Sequence, residues 1–229
     1  VVCPHETFDE RGHARRVWPE TRWYCQNGEQ KKNAAVLRLI EGDCVLNIMC
    51  GKLIRRALIE REHIRLVSGV KMAEDALFNL ETVLCARNIA YVHHIAYRYR
   101  IHSASATGSR RNSEWEAHLP WLVAMRNMLA RRGELERYYA PLLNSFALRL
   151  YKDGGIGGVV REFNTKVKPY LALDGLTRAK MTPYGRVVWA LCRRGRYPTA
   201  YPLIAVVQMM KRKCGEAAFA LRAEREKPQ

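Results

Sequence analysis

Ala73-Glu74-Asp75-Ala76-Leu77-Phe78-Asn79-Leu80-Glu81-Thr82-Val83-Leu84-Cys85-Ala86-Arg87 is followed at once by a run from Ile89 to Ile101. In the first stretch Leu77, Leu80 and Leu84 recur at i, i+3 and i+7, and two acids stand where the helix dipole favours them. That predicts a helix over 73–87. In the second, Ile89, Tyr91, Ile95, Tyr97, Tyr99 and Ile101 alternate with Val92, Ala96, Arg98 and Arg100, which predicts a strand whose second face turns basic towards its end. A helix leading directly into a strand makes this part of the chain α/β.

Working outward, Val1–Phe8 and His13–Trp18 read as two β runs separated by Asp9-Glu10-Arg11-Gly12, the composition of a tight turn, and so as a hairpin. Gln30–Ile40 and Leu53–His63 carry helical spacing. Beyond the polar loop 102–112, Ser113 and Glu116 form a capping-box pattern that opens a helix to about Arg132. The remainder reads as helical, punctuated by Gly133, the cluster Gly154-Gly155-Ile156-Gly157-Gly158, and Gly195. The boundary is drawn near residue 112, giving an α/β part over 1–112 and a helical extension over 113–229. The glycine cluster follows a helical pattern and lacks the Lys-Ser/Thr of a phosphate-cradling loop, so it is read as a hinge.

The 229 residues are 48% hydrophobic and 27% charged, enough for a core and unlike a disordered chain. With 39 Lys and Arg against 22 Asp and Glu, the net charge of +17 favours polyanions: nucleic acid, phosphorylated substrates or an anionic membrane leaflet. Seven cysteines without a C-x-x-C pair suggest neither a disulfide framework nor a zinc site, and a reducing cytoplasm is the simplest setting. Cys44, Cys85 and Cys192 sit among apolar neighbours and are expected to be buried thiols. The longest apolar run, Tyr201–Met210, falls short of the ~20 residues that span a bilayer. Together with Arg193, Arg194, Arg196 and Lys211-Arg212-Lys213, the stretch Tyr197–Arg212 has the mix of an interfacial segment, or equally of an amphipathic helix packed on the domain. The opening Val1-Val2-Cys3 has the character of mid-strand sequence, which points to a piece of something longer.

Three pieces of this sequence stand in register over some sixty residues: Cys50-Gly51-Lys52-Leu53-Ile54-Arg55-Arg56 with Ile64-Arg65-Leu66 after it, Glu74-Asp75-Ala76-Leu77-Phe78-Asn79, and Tyr97-Arg98-Tyr99-Arg100-Ile101-His102 running on to Thr107. Together they resemble the C-terminal half of bacterial family 2 glycosyltransferases, inverting enzymes of the GT-A type that build envelope polysaccharides. The resemblance implies a partial GT-A, Rossmann-like fold acting on a nucleotide-sugar donor and a glycan or lipid-linked acceptor. It implies that Asp75 is the general base, with Glu74 orienting Asp75 or the acceptor. The plainer reading of both acids is that they complement the helix dipole.

Arg98, Arg100 and His102 alternate onto one side of the strand, about 6 to 7 Å apart. Beside the donor they would neutralise its diphosphate, and His102 could alternatively reach a metal; otherwise they are exposed strand charges. Lys52 either meets the acceptor or its phosphate, or is a solvated lysine. The family's divalent cation, Mn²⁺ or Mg²⁺, is bound by a D-x-D motif, and no D-x-D occurs here. The expected partners therefore include a nucleotide-binding half outside this sequence or another copy of the chain. The cysteine usage makes a cytoplasmic location the expectation, with peripheral contact at the inner face of the membrane if the C-terminal segment is interfacial. The rival expectation is a basic, non-catalytic helical module that binds nucleic acid or an anionic membrane surface.

Overall fold

The computed structural model describes residues 1–19, 22–70, 73–102, 115–139, 141–142, 145, 183–194, 199 and 203. The chain forms two compact units, Val1–Gly133 and Glu134–Gln229. The first carries a three-stranded sheet of mixed direction together with helices, an α/β arrangement.

The hairpin expected at the start is present, with β1 at His5–Phe8 and β2 at Ala14–Val17, antiparallel. Its turn is organised by Asp9, whose Oδ1 accepts the backbone N–H groups of Arg11 and His13, each at 2.9 Å. Gly12 supplies the left-handed step at φ +82°. Three helices later β3, Tyr97–Arg100, returns parallel to β1, and the order is β2-β1-β3.

The strand expected over Ile89–Ile101 is much shorter than its alternation suggested. Val2 bridges to both Lys52 and Tyr91, and His5 pairs with Tyr97. Two residues of the first segment, Cys3 and Pro4, therefore face five of the other, 92–96. A proline without an N–H gives the ladder nothing to bridge that mismatch. The alternation also failed to mark a buried face, since Tyr97 and Ile101 are 38% and 47% exposed.

Helix α1 (Gly28–Glu41) buries Ala35, Val36, Leu39 and Ile40 and ends at Gly42, in the left-handed conformation that closes many helices. Helix α2 covers only Arg56–Arg61 of the expected 53–63. It starts late because Leu53 is extended and exchanges both backbone hydrogen bonds with Val1. Helix α3 (Glu74–Cys85) buries Leu77, Leu80 and Leu84, the stripe read from the sequence, and packs on α1.

Helix α4 (Trp115–Arg131) buries Trp121, Leu122, Met125, Met128 and Leu129, a stripe at i, i+1, i+4, i+7 and i+8, and packs on α3. Just past its end, Arg132 donates to Glu81 at 3.1 Å and to Glu62 at 3.4 Å. The first compact unit thus takes in α4 as well as the segment 1–112 set apart in the sequence.

In the second unit residues 135–139 are helical, and α5 (Pro183–Arg193) opens with a proline, which has no N–H to leave unpaired there. Leu135, Tyr138, Tyr139, Leu142 and Val188 are buried. Ser113 of the expected capping box, the glycine cluster 154–158 and, apart from Thr199 and Leu203, the basic apolar segment 197–213 lie outside the described residues. No described helix is long and apolar enough to cross a membrane.

Candidate functional site

The segment from Asp43 to Gly51 has no regular structure, so its backbone polar groups must find partners elsewhere. They find them in three side chains of the quoted motifs and in one residue beside them. Asp43, 1% exposed, folds back on its own loop, its Oδ1 accepting the N–H groups of Val45 and Leu46 at 2.9 Å. From α3, Asp75 Oδ2 accepts the N–H of Met49 at 2.9 Å. One turn on, Asn79 Nδ2 donates to Leu46 O and Ile48 O at 2.9 Å and to Asn47 O at 3.3 Å. An amide carries two N–H bonds, so one of these three is shared and the longest is the weakest. The spacing i, i+4 puts Asp75 and Asn79 on one face of α3, which is why one helix reaches both ends of the loop.

Lys52 also holds the loop. Its Nζ donates to Val45 O at 2.9 Å and to Ile48 O. Burial pushes the ammonium down from 10.5 to about 8, against the opposing pull of Asp43 and Asp75. Lys52 is therefore half-buried and committed to backbone carbonyls, which corrects the reading of it as a solvated lysine. Its charge also reaches His5, buried at the start of β1, whose pKa is lowered first by burial and then by Lys52.

Asp75 is half-buried and keeps Oδ1 free of hydrogen bonds among the described residues. Glu74 beside it is also half-buried, with no hydrogen bond or ion pair among them. Both stand in the first turn of α3, whose N-cap residue, Ala73, makes no side-chain cap bond and lies in the left-handed region at φ +61°. A residue with a Cβ is strained there, and such strain gathers at functional sites.

The three basic residues of the strand are not gathered with Asp75 and Lys52. Arg98 donates from Nε to Glu6 at 2.9 Å and lies 4.8 Å above the ring of Phe8, so its charge is already matched. Arg100 stands opposite Phe8 on the same side of the sheet and is exposed; His102, also exposed, lies two residues past the end of β3. It is Tyr97, at the other end of β3, that meets the loop, through a side-chain hydrogen bond with Cys50 that holds its phenol pKa up. Arg100 and His102 lie three and five residues beyond that contact, roughly 10 to 17 Å along an extended chain.

No group of three His, Cys, Asp or Glu side chains able to hold a metal ion occurs among the described residues. The donor set present does not fit a divalent cation held by these residues alone. Cys44, expected to be buried, is exposed, its Sγ 3.6 Å from Trp18 O; the loop turns it outward while Val45 and Leu46 point in. Cys85 is half-buried, and burial raises its thiol pKa.

Sequence reasoning gave no role to Asn79 or Asp43. The available signal was a polar residue one turn after Asp75 on a helix face otherwise filled by Ala76, Leu77 and Leu80. No known protein family, curated protein or solved structure matches the chain significantly.

Proposed function

We propose that this chain supplies the acceptor side of an inverting glycosyltransferase, with Asp75 as the base. The observation that carries the reading is that side chains of the first two quoted motifs hold one loop between them. Lys52 from the first, and Asp75 and Asn79 from the second, hold residues 45–49 and leave Asp75 with one free carboxylate oxygen at a helix start. In the proposed step the acceptor hydroxyl attacks the anomeric carbon opposite the departing nucleotide. The new C–O bond forms as the bond to the diphosphate oxygen breaks, and the hydroxyl proton passes to Asp75. A general base needs a carboxylate within hydrogen-bond reach of that proton, held rigidly; the Met49 N–H bond supplies the rigidity and Oδ1 the reach. Glu74, next to it, orients the acceptor.

The donor half is taken to lie in a separate stretch of polypeptide. The test supplies it and measures transfer from UDP-, GDP- and dTDP-sugars with Mn²⁺ or Mg²⁺, comparing the parent with Asp75→Asn. The amide oxygen of asparagine still accepts the Met49 N–H, so the loop stays in place. Loss of roughly 10²- to 10⁴-fold in turnover, with nucleotide binding intact, supports the assignment. Unchanged turnover, or salt-sensitive binding to random DNA indifferent to sugar nucleotide, replaces it with the basic-module reading.

A further inference from the structure

A second feature of the first unit owes nothing to Asp75. A cavity of about 550 Å³ lies among α2, α3 and the paired segments around Val2, Leu53 and Ile89. Its size is within the roughly 300–1,000 Å³ of small-molecule sites. Leu46, Leu58, Val83 and Ala86 give it an apolar wall. Four cationic side chains line it, and no carboxylate does among the described residues.

Two of the cations are already engaged: Lys52 by the carbonyls of Val45 and Ile48, and Arg61 by Glu62 at 3.0 Å. The other two, Arg55 and Arg87, are exposed and have no acidic partner among the described residues. Asn79 also borders the cavity. It is 2% exposed, and its Oδ1 is a buried acceptor without a donor, an arrangement that ordinarily calls for a partner.

We infer that this cavity is a binding site for a single-chain anionic amphiphile, its apolar chain against Leu58, Val83 and Ala86 and its anionic head on Arg55 and Arg87. An apolar ligand alone leaves two free guanidiniums unused, and a small inorganic anion leaves the apolar wall wet. Arginine forks suit phosphate and carboxylate heads alike, so the head group is distinguished by experiment. The inference stands on the cavity and is independent of glycosyl transfer.

Isothermal titration of the 229-residue chain with decyl phosphate and with decanoate, below their micelle concentrations, tests it, with decanol and inorganic phosphate as controls. Saturable 1:1 binding of one or both anions is expected, weakened roughly tenfold or more by Arg55→Ala/Arg87→Ala, whose residues are exposed and leave the fold intact. Ala86→Leu, which fills the cavity, is expected to weaken binding whatever the head group. The stronger of the two anions names the head. The inference is overturned by absent saturable binding, by affinity unchanged in both variants, or by inorganic phosphate or decanol binding as tightly as the amphiphile.

Discussion

Lys52 and Asn79 donate to the same acceptor, the carbonyl oxygen of Ile48. Neither side chain is replaceable by the other, because each also holds a second carbonyl, Val45 O for Lys52 and Leu46 O for Asn79. Asn79→Ala takes the donor from Leu46 O and Asn47 O while Ile48 O keeps Lys52, a loss of about 1–3 kcal/mol for each group left unpaired. We expect a fall of about 2–4 kcal/mol in urea unfolding, and a larger one for Asn79→Asp, which sets a carboxylate against those oxygens. A loss below about 1 kcal/mol would show that the loop holds without this residue.

Lys52 makes stability depend on pH in a defined window. Its pKa falls from 10.5 in the unfolded chain to about 8 in the fold. Below pH 8 it is charged in both states and its burial opposes folding by a constant amount. Between pH 8 and 10.5 the unfolded chain binds the extra proton, so stability contributed at this site rises with pH. Relative to Lys52→Met, which cannot titrate, the parent should gain up to about 3 kcal/mol across that window. Urea midpoints of the two proteins from pH 7 to 10.5 measure the difference, and parallel curves would contradict it.

The left-handed Ala73 ahead of Glu74 and Asp75 is expected to be a site of stored strain. A left-handed L-residue is disfavoured by about 1–2 kcal/mol, while glycine adopts that conformation freely at an entropic cost of about 0.5–1. Ala73→Gly should therefore raise stability by roughly 0.5–1 kcal/mol. A destabilised variant would mean that the alanine methyl packs usefully.

Two ion pairs should behave differently on truncation, and the shorter one should matter less. Arg132 meets Glu81, a carboxylate only 8% exposed, whereas Arg56 and Glu60 meet at 2.6 Å with side chains 89% and 56% exposed. Among the described residues, Arg132→Ala leaves Glu81 with only the longer contact to Arg131 at 3.7 Å, and it should lower stability by about 2 kcal/mol. Arg56→Ala should be indistinguishable from the parent by thermal unfolding. Equal effects would show that burial of Glu81 does not decide the outcome.

Much of the secondary structure was legible because it is local. The Leu77, Leu80, Leu84 stripe, the acids in the first turn of α3 and the turn at Asp9–Gly12 each depend on residues within a few positions of one another. The strand over 89–101 was misjudged because alternation records a backbone preference and not a partner. Only the counterpart segment, with Pro4 in it and two residues facing five, decides how much of that strand forms. The candidate residues divide the same way. Asp75 at a helix start was readable, while the engagement of Lys52 was not, since its acceptors at Val45 and Ile48 belong to a loop whose course no periodicity announces.

The amino-acid sequence by itself determined an α/β chain with a hairpin, three early helices and the positions of its acidic and basic motifs, because hydrophobic period, turn residues and helix-end charges act over short range. Tertiary structure alone decided that Lys52, Asp75 and Asn79 meet on one loop while Arg100 and His102 stand apart, that Arg98 is matched by Glu6, and that Arg55 and Arg87 border a cavity. Each of these depends on where the chain returns to itself, and that is set by which buried polar groups must share partners and which apolar faces must be covered.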